Sequence, residues 1–226
     1  MNGQSRGKCG IAAVVFALGM SIATHAAAQL FDPASPEVGR FYAFGGVALF
    51  SPHSNDQLQG ERTAGGLLAG GGFRLSPLLS FELGALGTGY RLDTPASVSA
   101  QIPAGTNLKS SIGTEGLNLS VKFHFTQGRF DPYFGAGVGL YQTNFRTTSE
   151  DPTCQHHCSD TGPRVSAHSN DAGYHALVGL DYHFRPKDVL VAEFRYLRVK
   201  ANFDNIGLGE VNAGGSLLWA GYRRYF

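Results

Sequence analysis

The sequence predicts an all-β fold: an eight-stranded antiparallel up-and-down transmembrane β-barrel with four long extracellular loops. Three observations lead there. Leu117, Leu119, Val121, Phe123 and Phe125 alternate with Gly116, Asn118, Ser120, Lys122 and His124. Period two puts each set on its own face of a strand, whereas a helix would scatter both around its circumference. The connections between such segments alternate between tight turns and long polar stretches, the pattern of a barrel whose short turns share one rim. The final stretch, 211–226, sets Leu218, Ala220, Tyr222 and Phe226 on one face, with Trp219 and Tyr225 on the other. An apolar face with interfacial aromatics is what a closing strand against lipid requires.

Composition agrees with an exported barrel. Only 15% of the 226 residues are charged, the formal net charge is +1, and mean hydropathy is −0.10. That is too polar for a bundle of membrane helices, and too weakly basic for nucleic acid to be a partner. Residues 1–28 are expected to be a signal peptide: Arg6 and Lys8 precede a short apolar core at 11–22, and Ala26-Ala27-Ala28 offers a cleavage site. The alternative is an N-terminal anchor. Cys9 should leave with the signal, so Cys154 and Cys158 remain in an oxidising compartment and are expected to form a disulfide. The competing reading is a soft-metal site with His156 and His157. Neither metal nor cofactor is expected.

Residues 29–38 form a Pro-containing lead-in, and 39–226 are assigned to the barrel. The first strand, 39–50, leaves its facing open, because Phe41, Ala43, Val47 and Leu49 compete with Tyr42, Phe44 and Phe50. The second, 63–75, opposes Leu67, Ala69 and Phe73 to Gly70, Gly72 and Arg74, and Ser76-Pro77 turns the chain. The third, 79–92, sets Leu79, Phe81, Leu83 and Ala85 against Ser80, Glu82 and Gly84. A long loop, 93–113, leads to the fourth strand, and a turn at 126–131 to the fifth, 132–144. There Gly135, Gly137 and Gly139 share a face, expected to make room for large side chains from opposite walls. The longest loop, 145–171, carries the cysteines. The sixth strand, 172–184, opposes Tyr174, Ala176 and Val178 to His175, Asp181 and His183. The seventh, from 190, opposes Leu190, Ala192 and Phe194 to Val191, Glu193 and Arg195, and a loop at 200–210 precedes the closing strand. Phe73, Phe81, Phe123, Phe125, Tyr133, Phe134, Tyr182, Phe184, Tyr222 and Tyr225 gather near the short turns, as an aromatic girdle does.

A soluble eight-stranded barrel would bury an apolar interior. Here the inward face carries Arg74, Glu82, Lys122, His124, Asp181, His183, Glu193 and Arg195, which favours the membrane reading. These residues are expected to form a polar network filling the lumen, because a narrow barrel holds little beyond its own side chains. A gated conduit for ions is the alternative. His168-Ser169-Asn170 offers a weak hint of a hydrolytic pair, but neighbours along a strand point to opposite faces.

D-P-Y-F-G-A-G-V-G-L-Y at 131–141, A-E-F-R-Y-L-R-V at 192–199 and A-G-Y-R-R-Y-F at 220–226 resemble the small outer-membrane β-barrel family. That family includes the transmembrane domain of outer membrane protein A and the opacity adhesins. The resemblance implies a bacterial outer-membrane location, with membrane lipid and lipopolysaccharide as partners and an external surface ligand for the loops. It also implies that the barrel-assembly machinery reads the C-terminal strand through Gly221, Tyr222 and Phe226, although Arg224 departs from the usual apolar residue. The function it implies is structural, envelope-integrity or surface-adhesion. A narrow porin-like channel is the alternative and a lipid A-modifying enzyme a more distant one; no enzyme activity is expected.

Overall fold

The computed structural model describes residues 37–53, 63–94, 96–99, 107–125, 128–150 and 165–226. The expected signal peptide, residues 29–36 of the lead-in, and Cys154 and Cys158 lie outside the described residues. Four strands form the first half of the barrel: β1 (Arg40–Pro52), β2 (Ala64–Arg74), β3 (Leu79–Leu92) and β4 (Asn107–His124). The second half holds β5 (Phe130–Glu150), β6 (Val165–Arg185), β7 (Asp188–Asn202), β8 (Glu210–Asn212) and β9 (Gly215–Tyr225). All ladders are antiparallel and follow chain order from β1 to β7; β9 joins β7 to β1, so the sheet closes. The eighth stave is β8 and β9 in tandem. β8 pairs with the outer end of β7, and the break at Ala213-Gly214 is bridged by Ala213 N–H donating to Val199 O at 2.9 Å. The expected unbroken closing strand is therefore two pieces.

Strands on one side of the barrel are longer than the sequence suggested. β4 has 18 residues and β5 and β6 have 21 each, against the roughly 9–11 that span a membrane. Residues 107–113, 145–150 and 165–171, expected as loop, continue the ladders. Their Ser, Thr and Asn content resembles a loop, yet period two persists: Thr143, Phe145 and Thr147 face inward while Gln142, Asn144 and Arg146 face out. A short helix, α1 (Ala96–Ser99), and a 3₁₀ turn at Asp204–Ile206 decorate two of the long connections.

The outer wall is apolar. Leu140 is 72% exposed, Phe41 68% and Leu67 66%, an arrangement that only lipid contact rationalises. Cross-strand aromatic pairs brace it near the short turns, Phe41–Phe73 at 4.8 Å and Phe123–Phe134 at 5.4 Å between centroids. The facing of β1 resolves with Tyr42, Phe44, Ala48 and Phe50 inside. Tyr133 and Tyr225, expected in the girdle, are buried in the lumen instead.

The lumen has two tiers. Ionisable side chains fill the half next to the short turns. The half next to the long connections is packed with Phe50, Leu68, Ile112, Phe145, Val199 and Leu217, and Phe203 from the 3₁₀ segment joins them, each at most 1% exposed. Inward charge is thus a property of one end only, while the outer half also buries the neutral hydroxyls of Ser110, Thr114, Thr143 and Thr147. It is the exposed apolar wall, more than the lumen, that separates this barrel from a soluble one.

Candidate functional site

The inner tier is a closed ion-pair network. Lys122 on β4 points its Nζ between Glu82 Oε2 of β3 and Glu193 Oε2 of β7, 2.7 Å from each. Arg195, two residues along β7, donates to Glu193 Oε1 from Nε at 3.0 Å and Nη2 at 2.7 Å, and to Asn118 Oδ1 at 3.0 Å. Tyr133 OH and Trp219 Nε1 complete the shell around Glu193, at 3.0 and 2.9 Å. Glu82 Oε1 accepts from Tyr42 OH at 3.0 Å and from Arg223 Nη2 at 2.8 Å, and Arg223 Nη1 binds Asp181.

A second knot lies nearer the short turns. Arg74 Nη1 donates to Asp131 Oδ2 at 2.8 Å; the same oxygen lies 2.9 Å from His124 Nδ1. Arg74 also donates to the Pro77 carbonyl at 2.5 Å, which pins the β2–β3 turn, and His124 Nε2 lies 2.9 Å from Ser80 Oγ. His183 is displaced toward the rim, where β6 carries a register irregularity, and its Nδ1 meets Glu37 Oε1 at 2.8 Å. Glu37 Oε2 reaches Arg74 Nη1 at 3.7 Å, so the end of the lead-in is tied under the barrel.

Among the described residues, the four fully buried cations Arg74, Lys122, Arg195 and Arg223 face the four fully buried carboxylates Glu82, Asp131, Asp181 and Glu193, each at most 1% exposed. That balance matters, since an unpaired buried charge costs several kcal/mol, roughly 3–5 when one partner is removed. His124, Asp131 and Asp181 bring ligand atoms within 4.8 Å of one another. Guanidinium groups of Arg74 and Arg223 already occupy their carboxylates, so the cluster reads as ion pairs.

All eight inward residues named from sequence therefore lie in or beside these knots. Arg223, Asp131, Tyr133, Tyr42 and Trp219 were missed. Arg223 stands next to the chain end and Asp131 in the expected turn at 126–131, yet parity alone places Arg223 with Trp219 and Tyr225, and Asp131 with Tyr133. The expectation for the β5 glycines changes as well. A Cβ on Gly137 would meet Leu119 O at 2.1 Å and the His175 ring at 2.5 Å. The crowding comes from the two adjacent strands rather than the opposite wall.

The C-terminal residues occupy the closing seam. Gly221 pairs with Gly46 of β1 and Val191 of β7, and a Cβ there would meet the Trp219 ring at 2.3 Å. Tyr222 faces out and hydrogen-bonds Asp188, while Phe226 is 67% exposed with its N–H on Phe41 O at 2.9 Å. His168 and Ser169 point to opposite faces, and Ser169 Oγ donates to Asp171 Oδ2 at 2.6 Å. No hydrolytic pair forms there.

The model for the outer membrane protein beta-barrel domain matches residues 13–223. Among solved structures, Neisserial surface protein A has a TM-score of 0.52 at 21% identity, covering 82% of this chain and 97% of its own. The outer membrane protein OprG from Pseudomonas aeruginosa has a TM-score of 0.54 at 15% identity, covering 84% and 97%. No curated protein sequence matches. At these identities the structures establish the fold alone, but a barrel closed by a polar inner tier, an apolar wall and a family match across nearly the whole chain agree. The chain belongs to the outer-membrane β-barrel protein family of bacteria.

Proposed function

We propose that the protein is a non-conducting barrel of the outer membrane that works through what it holds outside the lipid. The observation that carries this reading is the packed lumen. A salt-bridged tier is capped by one in which Phe50, Ile112, Phe145 and Phe203 are 0–1% exposed and the buried hydroxyls of Ser110 and Thr147 bond each other at 2.7 Å, so among the described residues side chains fill the lumen at both levels. The long β4, β5 and β6 support the outward half of the reading, since they raise a polar sheet well beyond the apolar band. In this reading residues 1–28 direct export, the assembly machinery engages the β9 end through Gly221, Tyr222 and Phe226, and a Cys154–Cys158 disulfide shapes the connection between β5 and β6. Planar-bilayer recording of the refolded chain tests it. Quiet membranes are expected, and steady unitary conductance from folded protein would return the channel reading.

A further inference from the structure

Glu115 of β4, Gln142 of β5 and Asn170 of β6 stand in one register row, all three exposed on the outer wall. Among the described residues, no side-chain hydrogen bond or ion pair holds any of the three. The next row of the same face toward the short turns is apolar, with Leu117 60% and Leu140 72% exposed. Beside Glu115 the wall is hollowed over Ala85 and Gly87 of β3, between Leu67 and Leu117.

Height sets the problem that this row poses. Phe123 and Phe134 are stacked Cα partners in the girdle by the short turns, and Glu115 and Gln142 each lie eight residue steps from them along the same strands. At about 3.3 Å per residue and a tilt of about 40°, that is a rise of roughly 20 Å, inside an apolar band about 25 Å tall. A carboxylate and a carboxamide therefore face acyl chains, which offer them no hydrogen-bond partner. Polar groups at that depth are stable when another protein surface meets them.

The two groups complement each other. A carboxylate accepts and a carboxamide N–H donates. They are Cα partners on adjacent strands, so a two-fold axis along the membrane normal, passing between β4 and β5, lays each against the other on a second copy. Glu115 then accepts from Gln142 of the second copy, and the reciprocal contact forms with it, as an isologous interface requires. The same axis packs Leu117 against Leu140 of the second copy and brings Asn170 of that copy over the hollow at Gly87.

We infer that the outer wall of β4 and β5 is the interface of a homodimer within the membrane, closed by two reciprocal Glu115–Gln142 contacts. The inference rests on the membrane location and not on the packed-lumen reading.

Förster transfer between donor-labelled and acceptor-labelled full chains in phosphatidylcholine vesicles at pH 8 tests it, over a range of protein-to-lipid ratios. Wild type should show saturable transfer with a stoichiometry of two. E115L/Q142L leaves the wall wholly apolar, which suits a lipid-facing strand, and should weaken the dimer about tenfold, the sum of two modest hydrogen bonds across a membrane interface. Q142E sets Glu115 against a carboxylate of the second copy and should abolish transfer. E115Q/Q142E exchanges the two groups and should restore it. Leu218→Ala, on the wall across the barrel, should leave transfer unchanged. A heat-dependent gel shift confirms closure of each variant; if Q142E does not close, E115L/Q142L decides. Absence of saturable transfer, a stoichiometry other than two, undiminished transfer in E115L/Q142L, or Q142E and E115Q/Q142E behaving alike would overturn the assignment.

Discussion

Replacing Lys122 with Met tests whether the inner tier stabilises the barrel through charge balance. The substitution keeps the length of the side chain but removes the ammonium group that lies 2.7 Å from both Glu82 and Glu193 and 4.5 Å from the centre of the Tyr133 ring. The four fully buried carboxylates would then face three guanidinium groups. Removing one member of a buried pair is worth about 3–5 kcal/mol. The lower end is expected, because Arg223 still holds Glu82 and Arg195 still holds Glu193. Glu193→Gln in the same background restores neutrality, so the double variant should lose less than the sum of the singles, with a coupling of roughly 0.5–3 kcal/mol. The assay is reversible urea unfolding in lipid vesicles followed by fluorescence. Trp219 is the chain's single tryptophan and its indole N–H rests on Glu193 Oε1 at 2.9 Å, so the signal comes from the network itself. A Lys122→Met variant within about 0.5 kcal/mol of wild type, or strict additivity in the double, would refute the reasoning.

Three further outcomes are expected. Leu119→Arg, on the lipid face at 50% exposure, should cost about 2–4 kcal/mol near the midplane; Asn144→Arg, exposed on the outer extension of β5, should be near neutral in the same vesicle assay. Gly137→Val should block barrel closure on an unboiled gel, because its Cβ would stand 2.1 Å from Leu119 O, whereas Gly65→Ala meets nothing within 4 Å and should close normally. A membrane-impermeant maleimide should label Cys154 and Cys158 on intact cells only after mild reduction; labelling without reduction would show free thiols and favour the metal reading.

Much of the barrel was legible because strand periodicity is a local signal. Residues 116–125 announce their two faces without any knowledge of their neighbours, and so do the sixth and seventh strands. Strand ends were not legible. Asn144, Thr147 and Ser149 carry loop chemistry, and it is the pairing with β4 across residues 107–113 that makes them strand. Such pairing is a tertiary property that composition does not report. The same limit applies to the site. Inward charge was readable from parity, but parity was read only where a strand had already been recognised. With Asp131 placed in a turn and Arg223 not singled out, Arg74 and Asp181 lack their ion-pair partners when the chain is read from sequence.

The division of the lumen explains why charge can stand inside so narrow a barrel. A one-residue slip of any ladder would turn its inward set toward lipid. For β7 that would carry Glu193 and Arg195 into the apolar band, and for β4 it would carry Lys122. The penalty near the midplane is about 2–4 kcal/mol for each cation, in addition to the broken pairs left behind. The apolar tier imposes no comparable penalty, since Phe145 or Leu197 would be accommodated by lipid as readily as by the core. We infer that the ionic tier fixes register for the whole closed sheet. The apolar tier fills the outer half of the lumen without that duty, and there two ladders part while those of β4 and β5 run on: β2 and β3 pair no further out than Gly66 and Thr88, and β6 and β7 no further than Gly173 and Val199.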